Sequence, residues 1–584
     1  MTPLQDNADA AATPEHPHFR WLLLSEGQRM VALSIFIGIF AGLLVTCFHV
    51  TIDFLDWTVL VRLSDMYPWV RVVAPVVGAI VASVLVLKLF RAAQGSGVNQ
   101  TKAAIYVSDG YVSSKTIPGK FLACSISIGL GNSLGPEDPA LQMGAGVASL
   151  LGRMFGLHRE TMRLIAPIGA AAGIAAAFNT PIAGVLFVME EVLASWNASV
   201  LGSIVLAAVS SVVVTRWFLG NEPLFRVPTF ELVHPSELLI YAGIGVACGL
   251  MSAAFIKIVS FVRNHLHKLP PWGHYALPVV GGAIVGIVGL WLPGVMGAGY
   301  GTIDNALHDR FTWQMLLALG VAKAVVTVCC FSAGIPGGMF APALFIGAML
   351  GGGLGGLSHR FWNFPGSSLD AYVLVGMGTF FAGVFRAPMT SIFMVFEISA
   401  SYVIILPVMI ANTVAWLISR ALQPVPFFTM LARQEGFDLP SAEDKRIATV
   451  LRVEDAMRLP PAPGVSEEMS VNGAMEIADK HHIEHLLVNR HINGWACVPV
   501  SEVRAAKADG LGISALGDAV TLKLAPRLYP DVSLDAALRL LSSQALLPVA
   551  SRADPDRLIG VLSLPDVLKA YGVEEQAACE PTVA

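Results

Sequence analysis

Carboxylates seldom interrupt apolar sequence, yet GNSLGPEDPALQM, residues 131–143, sets Glu137 beside Asp138 between Pro136 and Pro139, with FLACSISIGL before it and GAGVASLLG after it. A second adjacent pair, Glu190 and Glu191, closes the equally apolar FNTPIAGVLFVMEE. Acids in such surroundings either carry protons or answer the positive end of a helix, and intramembrane ionisable groups are functional by default. Gly-Pro-Glu-Asp-Pro is also good helix-start chemistry, with proline in the first turn and acids near the N-terminus. Asp138 reads as that kind of dipole-compensating starter or loop anchor. Glu137, on the residues alone, reads equally as such a starter or as a reactive group.

The elements that position these acids are helices interrupted by glycine and proline. GSG at 95–97, GPEDP at 135–139 and GIPGGMFAP at 334–342 each precede helix formers. A helix start leaves unpaired N–H groups and about half a positive charge. Several starts aimed at one point make an anion site without Lys or Arg, and dipolar charge suits an ion that must also leave. Such breaks cannot face lipid, so they line protein or water.

The surrounding chain is membrane-like. It has 584 residues, 55% of them hydrophobic and 14% charged, with a net charge of −5 that offers no basic surplus, so no nucleic-acid partner is expected. Of the charged residues, 42 fall in the first 430 positions and 37 in the last 154, which sets a boundary near residue 430. Apolar stretches such as Met30 to Val50, Val72 to Phe90 and Leu238 to Ala254 suit a hydrocarbon core that takes about 20 helical residues to cross. The polar first 27 residues lack signal-peptide architecture, and the first span reads as retained. Seven scattered cysteines, without a CxxC pair, indicate neither a metal site nor a disulfide framework.

The body also repeats. GSGVNQTKAAI from Gly95 is echoed by GAGYGTIDNAL from Gly297, and Lys120 by Lys323. PALQMGAGVASLLG from Pro139 matches PALFIGAMLGGGLG from Pro342, and FNTPIAGVLFVMEE from Phe178 matches FRAPMTSIFMVFEI from Phe385. The offsets stay nearly constant, so residues about 30–220 and 235–425 are two copies of one unit, an arrangement that places a site at the repeat interface. Glu190 pairs with Glu397 across the copies and reads as structural, bonding the end of a broken helix. Lys120 and Lys323 read as groups that snorkel or cap carbonyls, with Lys120 adding positive potential to the pathway.

The ordered set GSG, G-x-E-x-P, AAFNTPIAGVLFVMEE, GGMFAP and E-x-x-x-x-Y-x-x-x-L-P resembles the CLC family of chloride channels and chloride/proton antiporters, bacterial-type. The resemblance implies an all-α polytopic membrane protein with an internal inverted repeat and broken helices, followed by an α/β pair of CBS modules. It assigns Ser96, Met339, Phe340 and Tyr402 to anion binding, Glu137 to the gate and Glu191 to internal proton transfer. Where the family commonly has G-R-E-G-P, this chain has Pro136 and Asp138; where it has G-S-G-I-P, this chain has Asn99. Pro136 removes a guanidinium and an N–H from the outer mouth and Asp138 adds negative charge, so both are expected to modulate the gate and lower anion affinity.

The expected domains are a cytoplasmic segment 1–27, a transmembrane domain 28–425, a linker 426–446, CBS-like modules at 447–510 and 511–573, and a tail 574–584. In the second module GVLSLPD places Ser563 and Asp566 at positions that contact ribose in nucleotide-binding CBS pairs. His481, His482 and His485 read as a solvated face, and no metal is expected. The expected function is exchange of chloride for protons by a homodimer with cytoplasmic termini in lipid, at the bacterial inner membrane. No cofactor is required, and ATP, ADP or AMP is the candidate ligand of the CBS pair, with a purely structural tail as the alternative. A passive voltage- or pH-gated chloride channel and a membrane-anchored nucleotide sensor with a vestigial pore are the rival readings; a hydrolase finds no nucleophile–base constellation.

Overall fold

The computed structural model describes residues 26–194, 198–221, 223–225, 227, 236–266, 268–361, 369–436, 439, 451–460, 462–490, 494–541, 544–552 and 557–571. The expected segment 1–27, apart from its last two residues, and all but the first residues of the expected linker 426–446 and the tail 574–584 lie outside them or are described only in part. One compact unit runs to Ser441 and a second begins at Ala442.

In the first unit, eight helical segments among the described residues are long and apolar enough to cross a membrane, including Gly27–Met66, Glu237–Leu266 and Phe340–Ser358. Shorter apolar helices, among them Leu369–Phe385 and Pro388–Ser399, lie between them. Each helix of the first repeat has a counterpart in the second. Glu26–Leu55 answers Glu237–Leu266, Val98–Tyr106 answers Tyr300–Leu307, and Glu137–Met154 answers Phe340–Phe361.

Two contacts fix how the copies are related. Gly135 and Gly338, equivalent positions, exchange backbone hydrogen bonds in an antiparallel bridge, 2.8 Å from Gly135 N to Gly338 O and 2.7 Å from Gly338 N to Gly135 O. Equivalent residues that bond to each other reciprocally lie on a local two-fold axis. Because the pairing is antiparallel, the helices that follow leave the junction in opposite senses, which is the inverted relation. The second contact repeats this logic with side chains. Glu190 accepts from the N–H groups of Met389 and Thr390 at 3.3 and 2.9 Å, and Glu397 accepts from those of Ile182 and Ala183 at 3.0 and 2.8 Å. Each acid thus caps the broken-helix start of the other copy, the structural role read from the repeat.

Small residues let the helices around this junction approach closely. A side chain at Gly169 would meet the Gly144 carbonyl at 2.2 Å, and one at the equivalent Gly376 would meet Gly347 at 2.4 Å. The symmetry is broken at Val188–Val192, a π-helical turn that carries both Glu190 and Glu191, whereas the matching end of Pro388–Ser399 stays α-helical. Such turns re-aim side chains, and they concentrate at functional sites.

The expected membrane boundary at residue 425 needs correction. Pro426 ends the preceding turn and Phe427–Gln434 forms a further helix whose first six residues are buried in the unit. Its apolar face, Phe427, Phe428 and Leu431, packs into the same core cluster as Phe340.

The second unit holds a three-stranded sheet, β1 (Val465–Ser466), β2 (His485–Asn489) and β3 (Trp495–Pro499), and a two-stranded sheet, β4 (Leu546–Ala550) and β5 (Leu558–Ser563). β1 pairs with β2 in parallel, while β2–β3 and β4–β5 are antiparallel. The module edges differ from the expected ones. Arg452 and Arg458 bridge to Ser533 and Val561 of the second module, and Leu516 and Val520 join the apolar core of the first. Each module therefore takes the segment that precedes or follows the other.

Candidate anion and proton pathway

Gly95 and Gly97 have φ of 89° and 134°, a conformation open to glycine, and they turn the chain so that Ser96 precedes the Val98–Tyr106 helix. Ser96 is 4% exposed and its Oγ has no hydrogen-bond partner among the described residues. A buried hydroxyl without a partner is unfavourable unless something else binds it. The loop is held from below: Lys120 Nζ donates to Gly95 O at 2.5 Å. In the other repeat Lys323 Nζ donates to Val295 O and Gly297 O at 2.9 and 2.7 Å. Both lysines are buried carbonyl caps, as the repeat implied, and each fastens a Gly-x-Gly turn.

A cavity of 780 Å³ opens onto Ser96 and is lined by Gln100, Arg263, Phe331, Gly337 and Glu435 among others. Its walls come from both repeats, since Gly95 and Ser96 face the loop from Gly334 to Gly337. Glu435 does not stand free in it: Gln100 Nε2 donates to it at 2.9 Å and Arg263 lies 3.6 Å away.

Beyond the cavity sit the two opening acids, both fully buried. Glu137 begins its helix, its Oε2 accepts from Ala341 N at 3.3 Å, and its Oε1 accepts from the Tyr300 hydroxyl. Asp138 Oδ2 accepts from Met339 N at 2.9 Å, and its Oδ1 has no partner among the described residues. The two carboxylates therefore reach across the repeat junction to the start of the Phe340–Phe361 helix. Of the two readings of Asp138, loop anchor is the one this bond fits: it holds the Met339 N–H of the opposite repeat rather than an N–H of its own helix. Gly97 lies against Asp138 as well, for a side chain there would meet the Asp138 carbonyl at 2.2 Å. Pro136 stands at the cap of the Glu137–Met154 helix and donates nothing, as its missing N–H dictates.

Phe340 packs in a cluster of aromatic rings. Its ring lies 5.0 Å from Phe187, 4.8 Å from Phe385 and 6.0 Å from Phe428, centroid to centroid. Tyr402, expected to bring a hydroxyl to this point, does not: it is 79% exposed, in the turn after Ala400, whose φ of 51° reverses the chain. The aromatic side chain that faces Phe340 from the end of the unit is Phe428, which has no hydroxyl, so only Ser96 offers one among the residues named for the site. Asn99, the other departure in the serine loop, donates to Phe428 O at 3.0 Å and so ties that loop to the final helix.

Glu191 points from the π-helical turn into the protein, 7% exposed, and Lys102 Nζ lies 2.8 Å from its Oε1. Lys102, itself 3% exposed, belongs to the helix that Ser96 opens. Removing one member of such a buried pair typically costs about 3–5 kcal/mol. Sequence reading missed Lys102, Tyr300, Phe428 and Glu435. The alignment GSGVNQTK against GAGYGTID carried a signal for Tyr300, since it put a phenol where the other copy has Val98.

In the second unit Ser563 and Asp566 form a capping box. Asp566 Oδ2 accepts from Ser563 N at 2.9 Å and from Ser563 Oγ at 2.5 Å, and Arg458 Nε lies 3.2 Å from the same oxygen. His481 ends a helix, His482 follows it with φ of 51°, and His485 begins β2, so the three do not share one helical face.

Residues 77–420 match the family described as voltage gated chloride channel, and residues 525–573 match the CBS domain. The chain belongs to that chloride channel family, the CLC family, and is an integral membrane protein with a CBS domain. It is 31% identical over 447 residues to a putative chloride channel protein ClcB-like of Ralstonia nicotianae, covering 74% of this chain and 99% of the relative. It is likewise 31% identical to the H(+)/Cl(-) exchange transporter ClcA of Cronobacter sakazakii, over 69% of this chain and 89% of that one. Among solved structures, a slow cyanobacterial Cl-/H+ antiporter shares the fold with a TM-score of 0.65 at 24% identity, over 70% of this chain and 98% of that one. A eukaryotic CLC transporter shares it with a TM-score of 0.61 at 18% identity, over 92% and 98%.

Proposed function

We propose that this chain exchanges chloride for protons across the membrane, as a homodimer with both termini on the cytoplasmic side. The observation that carries the reading is Glu191: a further buried acid, away from the Glu137–Asp138 pair in the turn Val188–Val192, kept in place by Lys102. A passive anion pore needs a gate but has no use for a separate inner acid. The curated relatives named as exchangers support the same reading.

In this mechanism Glu137 and chloride compete for the N–H groups at the start of the Phe340–Phe361 helix. Chloride entering from the Ser96 cavity displaces the carboxylate, and proton uptake releases it, because the neutral acid binds a dipolar anion seat weakly. Glu191 passes the proton on at the other side. Lys102 holds the Glu191 carboxylate oriented, and Phe340 with its aromatic neighbours keeps water from joining the two routes. The CBS unit is read as a structural or adenine-nucleotide-responsive module; a ribose at Asp566 must compete with Ser563 and Arg458.

The decisive measurement is flux in liposomes containing the purified protein under an imposed chloride gradient. Protons are expected to move uphill. Glu137→Gln and Glu191→Gln are each expected to abolish proton movement while chloride still passes. Chloride flux with no proton movement in the unmodified protein would replace exchange by a passive channel.

A further inference from the structure

Asp138 makes a contact that neither the family match nor the exchange reading requires. Its carboxylate is fully buried, crosses from one repeat to the other, and accepts the Met339 N–H at 2.9 Å. That N–H is one of the donors expected to hold an anion, and it is already taken. Two positions further along, past Phe340, Ala341 N donates to Glu137. Adjacent residues of one helix start thus lay two carboxylates on donors two residues apart at the opposing helix start.

The surroundings are shaped for this. Gly338 carries no side chain, and a Cβ there would stand 2.8 Å from both Cβ and Cγ of Asp138, so a larger residue would expel the carboxylate. Asp138 Oδ1 and Ser96 Oγ are both buried and both lack a hydrogen-bond partner among the described residues. Gly97, next to Ser96, lies against the Asp138 backbone. The charged groups acting on Asp138 are Glu137 on its own helix and Lys120 on the neighbouring Thr116–Gly129 helix.

We propose that Asp138 is a second built-in anion: its carboxylate fills the inner seat at the Met339 N–H, while Glu137 fills the next one, and chloride enters the inner seat only by displacing Asp138. The proposal rests on the exchange reading. Its consequence is specific to this chain. Where one tethered carboxylate would leave an inner position open to chloride at rest, two leave neither open. The resting protein is self-ligated at the Met339 and Ala341 N–H groups, and its apparent chloride affinity is low because each entering ion must replace a covalently tethered competitor.

Calorimetric titration of the purified full-length protein with sodium chloride tests this, alongside chloride flux in liposomes. Asp138→Gly frees the Met339 N–H and is expected to bind chloride roughly tenfold more tightly than the unmodified protein, a difference of about 1.4 kcal/mol. Glu137→Gln is expected to take up a single chloride per protomer, and the double variant Glu137→Gln with Asp138→Gly two. Asp138→Ser, which keeps a helix-start oxygen but no charge, stands in should the glycine variant not fold, and it is expected to tighten binding in the same direction. Unchanged affinity and stoichiometry in these variants, with chloride flux intact in the unmodified protein, overturns the proposal and leaves the exchange reading standing. Absence of both chloride binding and chloride flux in every protein overturns the two together.

Discussion

At the scale of single residues, the most consequential hydrogen bond is the one sequence reasoning did not anticipate. Tyr300 donates to the carboxylate of Glu137 from the loop that the second repeat builds in place of the serine turn. A hydrogen bond to a charged group contributes about 1.5–3 kcal/mol, so under the proposed exchange this hydroxyl restrains the Glu137 arm. Tyr300→Phe is expected to loosen it, raising apparent chloride affinity and turnover several-fold in liposome efflux; unchanged rates would show that the hydroxyl does not restrain Glu137. The helix starts at which Ser96, Met339, Phe340 and Glu137 stand were legible in the sequence because glycine or proline marks each of them, where the local code is strong. Tyr402 was misassigned for the opposite reason. Its motif is local, whereas the aromatic partner of Phe340 is Phe428, separated from Tyr402 by an entire helix, and no spacing rule announces that return. Lys102 lies 89 positions from Glu191, and the contact appears only once two helices cross.

At the scale of elements, the broken helices hold each other. Glu190 caps the start of Pro388–Ser399, and Glu397 caps the start of the helix Pro181–Phe187. Glu190 has the added bond from the Thr390 hydroxyl at 2.8 Å. Losing a cap costs about 0.5–2 kcal/mol, more when the acceptor is charged and buried. Glu190→Gln and Glu397→Gln are therefore expected to lower the thermal midpoint of the purified protein by comparable amounts, Glu190→Gln somewhat more. A loss confined to one of the two would argue against reciprocal capping. The repeat offset exposed this pairing before any geometry was known, because the two acids recur at equivalent positions. The π-helical turn that separates the task of Glu190 from that of Glu191 was not legible, since one extra residue in a turn leaves no compositional trace. The short helix after Pro426 was likewise hidden, because rising charge nearby made it look like linker.

At the scale of the whole molecule, the division between an apolar body and a charged tail was readable from the distribution of Asp, Glu, Lys and Arg, and the two compact units follow it. The exchange of segments between the two tail modules was not readable, because either module could have used either strand edge. The reciprocal bridge between Gly135 and Gly338 has a mechanical meaning. It ties the two copies together beside the proposed anion seat, so the copies cannot rock about that point without breaking two short backbone hydrogen bonds. Under the proposed exchange the moving parts are then the carboxylate arms, and the outer contour of the protein against lipid is expected to stay fixed. Transport in vesicles of short-chain and long-chain lipids should therefore proceed at rates within about a factor of two, since mismatch costs only act when the lipid-facing length changes. A steep dependence on acyl-chain length would mean that the seam opens. The protein should behave less like a hinge than like a lock whose case stays still while its tumblers turn.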